Sequence, residues 1–261
     1  MDLSLKGKTA LICGSSQGIG LATAIELSQL GANCILLARN EERLQAALGQ
    51  LHNGHGQKHR IEIADFSDIH EVISVANDLA ATTPVHILIN NTGGPAAGPI
   101  LQAETKSFAD AFEQHLLCNQ VLVQALVPGM IEAGYGRIIN IISTSVKTPL
   151  KNLGVSNTIR WAVASWAKTL ATEVAPHGIT VNNVLPGSTN TARLTALFEH
   201  SAKQRKVAPE VVSNEWLSEI PMKRFGEPKE IAALAAFLAS PAASYISGTS
   251  IAVDGGKTPV M

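Results

Sequence analysis

The sequence lacks the features that would divide or export it. Across 261 residues there is no Pro/Gly/Ser-rich linker, low-complexity tract or repeat period, so one domain spanning 1–261 is expected. No apolar run approaches the roughly 18 residues that a membrane span needs. Met1–Lys8 has no charged-then-apolar leader pattern, which predicts a cytoplasmic chain without a membrane partner. The net charge of -1 supplies no field to gather nucleic acid. Cysteine is scarce: Cys13, Cys34 and Cys118 form no CxxC pair and read as small apolar residues of a reducing compartment. His52, His55 and His59 crowd one segment, but their Gly, Asn and Gln neighbours describe a solvated helix-to-strand loop. No metal is expected there.

What is present is apolar residue in alternating blocks. Hydrophobic residues make up 46% and charged ones only 16%, which suits a sheet covered on both faces with surface left for subunit contacts. Short apolar runs at 9–13, 33–38, 58–64, 85–90, 136–142, 179–185 and 249–253 read as strands. Helical patterns near 19–30, 41–51, 68–82, 104–133, 154–175 and 228–240 separate them. Right-handed strand-helix-strand crossovers then give an α/β, Rossmann-type doubly wound parallel sheet of about seven strands, with helices on both faces. Asp68 is placed to cap the helix after it, Gly31 to close the first helix, and Pro176 and Gly178 to stop the long one. The polar, helix-prone segment 187–221 breaks the alternation, as a substrate lid or as a plain surface loop.

Between the first strand and helix stands Gly14-Ser15-Ser16-Gln17-Gly18-Ile19-Gly20. A glycine-rich turn at a helix N-terminus gathers unpaired N–H groups and partial positive charge, which suits a diphosphate. Its alternative is tight packing alone.

Further motifs follow in order. Asn90-Asn91-Thr92-Gly93, Gly136-Arg137-Ile138-Ile139-Asn140-Ile141-Ile142-Ser143 and Val181-Asn182-Asn183-Val184-Leu185-Pro186-Gly187 each end a strand, and Val253-Asp254-Gly255-Gly256 closes the series. With the glycine turn, they make the chain resemble the short-chain dehydrogenase/reductase family over essentially its full length. The resemblance implies a nicotinamide cofactor. Asp65 and Phe66 would receive its adenine, Asn90, Thr92 and Gly93 its adenosine ribose, and Thr189 and Thr191, after Pro186-Gly187, its carboxamide. It also implies a small-molecule substrate and a homotetramer. The stretch Ile231–Leu238 fits that assembly and fits core packing equally.

The family's four reactive side chains are an asparagine, a serine, a tyrosine and a lysine. Ser143 fills the serine position; thirteen residues on, Ser156 stands for the tyrosine, and four further, Arg160 stands for the lysine. His115, twenty-eight before the serine, occupies the asparagine position. A phenol titrates near 10 and an aliphatic hydroxyl is a far weaker acid. Arg160 keeps its charge and can hold a cofactor ribose without relaying a proton. Two residues are candidates to substitute. Lys147 would polarise an oxyanion if it faces the substrate, or else lies on an exposed loop. His115 would relay protons, or else is hydrogen-bonded within its helix. The motifs Asn90–Pro95 and Ser145–Pro149 resemble a divergent branch labelled 3-oxoacyl-carrier-protein reductase-like. The expectation is an NADPH-dependent reductase of a small carbonyl or enone with an altered proton donor. Where a conjugated system is reduced an enolate must be stabilised, which a lysine or serine oxyanion site suits better than a strong acid does. A catalytically silent NADP(H)-binding or scaffold protein is the second reading, and an isomerase or lyase that keeps its nucleotide as a structural element is the third.

Cofactor choice rests on the end of the second strand, where Arg39-Asn40 replaces the acid that grips a ribose 2′-OH. A guanidinium fork matches the 2′-phosphate of NADP, unless Arg39 simply lies along solvent. NADPH is therefore expected to bind more tightly than NADH. Arg39→Asp should weaken NADPH and spare NADH in titration calorimetry; equal affinities in the parent protein would refute this.

Overall fold

The computed structural model describes residues 1–259. Seven strands are seen: β1 (Thr9–Cys13), β2 (Asn33–Ala38), β3 (Arg60–Ile63), β4 (Ile87–Asn90), β5 (Gly136–Ile141), β6 (Ile179–Pro186) and β7 (Ser250–Val253). They form one sheet in the order β3-β2-β1-β4-β5-β6-β7, every pair parallel. The expected fold class is therefore present. The path runs outward from β1 to β3, then returns to the other side of β1 at β4. That reversal opens a crevice at the carboxyl ends of β1 and β4.

Strand alternation sorts the core. Ala10 and Ile12 of β1 pack on one face with Leu27 of α1 (Gly18–Gln29) and Ile231 of α9 (Pro228–Ala239). Leu11 and Cys13 pack on the other, with Leu79 of α3 (Ile69–Thr82), Leu122 of α5 (Cys118–Glu132) and Ala171 of α6 (Gly154–Val174). The α9 stretch is thus mainly core: Ile231, Ala232, Ala235, Ala236 and Leu238 are all buried within the chain.

The sequence signals at the element ends act as expected. Asp68 accepts from the His70 amide at 2.9 Å, Gly31 takes φ 98° after α1, and Gly178 takes φ 74° before β6. Asn40 caps α2 (Glu41–Leu48), accepting from the Arg43 amide at 2.8 Å. His59 also has a structural task, its Nδ1 accepting from the Cys34 amide at 3.1 Å. Two departures matter for the site. The expected long helix at 104–133 is α4 (Thr105–Phe112), a π-helical turn (Glu113–Leu117) and α5. The segment 187–221 folds into α7 (Ala192–Arg205) and α8 (Pro209–Ser218), joined by a small apolar cluster of Leu194, Phe198 and Val212 with Trp216 and Phe225.

The turn after β1 is closed by a side chain. Asn91, just past β4, donates Nδ2 to the Cys13 and Gly14 carbonyls at 3.2 Å each. A Cβ on Gly20 would lie 2.3 Å from the Gly14 carbonyl and 2.8 Å from Asn91 Nδ2. Gly20→Ala should therefore cost about 1–3 kcal/mol by urea unfolding. Gly49→Ala, where the nearest atom is 3.7 Å away, should be neutral or slightly stabilising. Equal effects at the two positions would refute the packing argument.

Candidate active site

The crevice leads into a cavity of about 600 Å³. The glycine turn contributes its last wall residue, Ile19; β5 and the loop after it contribute Ser143, α6 contributes Ser156 and Arg160, and β6 ends on it with Pro186 and Gly187. Thr92, Thr189 and Thr191 complete the expected residues that line it. Neither of the chain's tyrosines, Tyr135 or Tyr245, is on its wall.

The turn fits a diphosphate group on its own geometry. Gly14 and Gly18 take φ 60° and 59°, conformations that favour glycine, and the glycines leave the backbone bare. Gln17 caps α1 without a side-chain bond and no acid sits in the first turn, so the helix N–H donors are unclaimed by side chains. Ser15 Oγ is buried with no partner among the described residues. Ser16 and Gln17 lie on the turn between them. At the far end of the crevice, the exposed Arg39 reaches Asp65 at 3.4 Å. A backbone bond from Ser67 and the Arg39 charge hold the Asp65 carboxyl below its usual range. Phe66 packs under α5, its carbonyl accepting from Cys118 Sγ at 3.6 Å.

Several expected residues stand off the cavity wall, the exposed Gly93 among them. Asn90 is buried in the sheet, and its Nδ2 is committed to Asn140 at 2.8 Å, so its side chain does not line the cavity. The Asn40 side chain is likewise committed, to its helix cap. Lys147, just past the 3-10 turn Thr144–Val146, is exposed and off the cavity wall, whereas Lys151, four residues on and also exposed, borders the cavity.

His115 is buried in the π-helical turn, its Nδ1 in a short contact with Thr92 Oγ1. Burial and then the Arg160 and Arg193 charges push its pKa down to about 2. Burial thus favours the neutral imidazole at this position. Arg160 is also buried, donating Nη1 to the Ile141 carbonyl at 3.1 Å and Nη2 to the Thr92 carbonyl at 3.4 Å. Burial brings its pKa down to about 10, which leaves it charged. Ser143 Oγ accepts from the Ser145 amide at 3.1 Å, so its hydroxyl proton is free for a ligand.

Sequence reading missed Arg193, which lines the cavity from the first turn of α7 and donates to the Gly94 and Pro95 carbonyls at 2.8 and 3.1 Å. The only hint was an arginine soon after the Pro186-Gly187 turn.

His115 generates a pH dependence with a defined sign. Its folded pKa lies below the ordinary 6.5, so the unfolded chain takes up the proton first as pH falls. Its stabilisation is full above about pH 6.5 and drains below it, by about 1.4 kcal/mol per pH unit at the steepest. Urea unfolding between pH 7 and 5 should show a shallower loss in His115→Asn than in the parent; parallel curves would refute it.

Known proteins are similar to this chain over nearly its full length. A family model described as enoyl-(acyl carrier protein) reductase matches residues 14–258. The NADPH-dependent reductase BacG of Bacillus subtilis is 32% identical over 252 residues, covering 96% of this chain and 97% of that protein. The 3-oxoacyl-[acyl-carrier-protein] reductase FabG of Vibrio cholerae is 35% identical over 257 residues, covering 97% and 98%. Among solved structures, L-sorbose reductase from Gluconobacter frateurii, complexed with NADPH and L-sorbose, superposes with a TM-score of 0.92 at 32% identity, with 100% of each chain covered. With the sheet order, the glycine turn and the cavity of Ser143 in agreement, the chain belongs to the short-chain dehydrogenase/reductase family.

Proposed function

We propose that this chain is an NADPH-dependent reductase of a small carbonyl or enone substrate, working without a tyrosine acid. The observation that carries it is the single cavity in which Ile19 of the cofactor turn meets Ser143, Ser156 and Arg160. In this reading Gly14–Gly20 grip the diphosphate and Arg39 takes the 2′-phosphate. Asp65 and Phe66 border the adenine, Thr92 and Gly93 the adenosine ribose, and Thr189 and Thr191 the carboxamide. Arg160 holds the nicotinamide ribose. Bound NADPH supplies hydride to the substrate carbon.

The chain's own residues then manage the charge left on oxygen. Ser143 donates its free hydroxyl to the substrate oxygen, and Ser156 lines the same cavity. Arg160, charged and held in a dry wall, favours negative charge on that oxygen as it develops. No hydroxyl here is acidic enough to release its proton outright. The proton therefore comes from water after the oxyanion is stabilised, which suits a conjugated substrate whose enolate is itself a stable anion. The second reading, a silent NADP(H)-binding protein, is favoured by one observation, that His115, Ser156 and Arg160 stand at three of the four positions of the family's reactive side chains.

NADPH oxidation across a panel of ketones and enones decides between them, with deuteride transfer as confirmation. Ser143→Ala should lower kcat/KM about 10²–10³-fold while leaving NADPH affinity within about twofold. Tight NADPH binding without turnover on any member would favour the silent reading.

The same reading places the protein in the cytoplasm as a homotetramer. Among the described residues, no helix is long and apolar enough to cross a membrane. Phe112, Leu117, Ile131 and Trp161, on α4, the π-helical turn, α5 and α6, are exposed apolar residues that such an assembly would cover. Light scattering at micromolar concentration should give four times the chain mass; a monomer would overturn it.

A further inference from the structure

The cavity wall carries charge of one sign that the chain itself leaves unmatched. Arg160, Arg193 and Lys151 all line it, and none forms an ion pair among the described residues. The other cations on the wall are neutralised. Arg205 holds Glu215 through bonds of 2.5 and 2.7 Å, and Lys257 pairs with Glu219 at 2.9 Å. Glu219 is the cavity's lone acid among the described residues, and it is spent on that pair. Of the three only Arg160 is buried; Lys151 and Arg193 reach solvent, and a neutral sugar or ketone would leave all three charges unmatched.

Arg193 is the member placed for a substrate. Its guanidinium is held by the Gly94 and Pro95 carbonyls and lies close over Gly94, where a Cβ would come 2.5 Å from Arg193 Nη2 and displace the guanidinium. Two of the five guanidinium N–H donors serve these carbonyls, which leaves three for a ligand. The cofactor's anionic groups have receptors elsewhere: the diphosphate at the glycine turn, and the 2′-phosphate at Arg39. Arg160 is assigned to the ribose. What remains for Arg193 is an oxyanion on the substrate, and a planar two-oxygen group matches a planar fork best.

We propose that the substrate carries a carboxylate, that Arg193 receives it, and that Lys151, from the loop before α6, adds a second positive charge. This rests on the reductase reading above and names the substrate class for the same site. Fixing the carboxylate would orient the reducible carbon relative to Ser143 and explain why α7 is anchored to the loop after β4.

The test compares 4-oxopentanoate and 4-oxocyclohex-2-ene-1-carboxylate with their methyl esters, reading both NADPH oxidation and calorimetric binding to the protein–NADP⁺ complex. The acids should exceed the esters by about 10- to 100-fold in kcat/KM or in affinity. Arg193→Met should remove that preference while NADPH affinity stays within about twofold, and Arg193→Lys should retain part of it. Esters equal to acids, a preference that survives in Arg193→Met, or NADPH affinity lost with Arg193 would each overturn the proposal. Failure of the reductase reading looks different. The acids would then bind better than the esters, in an Arg193-dependent way, with no NADPH consumed, and the carboxylate site would stand.

Discussion

The Asn91 side-chain amide holds the site together. By donating to both the Cys13 and Gly14 carbonyls it ties the end of β4 to the end of β1, across the point where the strand order reverses. The amide occupies the space where side chains at 14 and 20 would go, so the bare glycine turn and the loop after β4 form one rigid unit. Thr92, the next residue, carries the constraint onward: its hydroxyl meets His115 and its carbonyl accepts from Arg160. The geometry of the cofactor turn and that of the reacting wall are therefore set by one short stretch of chain.

A second polar feature crosses the sheet. Asn90 donates to Asn140 at 2.8 Å, Asn140 to Asn183 at 2.9 Å, and Asn183 to Ser250 Oγ at 3.0 Å, each pair directly in register on neighbouring strands. A slip of one residue in any pairing would break the row and leave buried amides unmatched, so the row specifies register within an otherwise apolar sheet. The row also explains why Asn90, at the end of β4, serves the scaffold rather than the cavity.

Strands, caps and the glycine turn were legible in the sequence because their signals are local. Alternation, Asp68 before a helix and Gly178 after one each act within a few residues. The family motifs located Ser143, Ser156 and Arg160 for the same reason, since they sit at fixed offsets on β5 and α6. What was not legible depended on side-chain direction. Lys147 and Lys151 both follow Ser143 on the same loop, and the sequence does not say which of them borders the cavity. The state of His115 depends first on its burial and then on charges from α6 and α7 that are far away in the chain. Arg193 becomes meaningful only once α7 packs over Gly94, a contact across 99 residues.

The π-helical turn at Glu113–Leu117 has a mechanical consequence. An extra residue in one helical turn advances the angular phase of everything beyond it by about 100°. α4 packs on α6, whereas α5 packs on α3 and sets Leu122, Leu126 and Met130 against the sheet. Forcing that turn into regular α-helix without deleting a residue would rotate α5 as a rod and lift this stripe off its seat. The wide turn thus absorbs one residue between two helical phases, and tightening it would be felt along the whole of α5 as well as at His115.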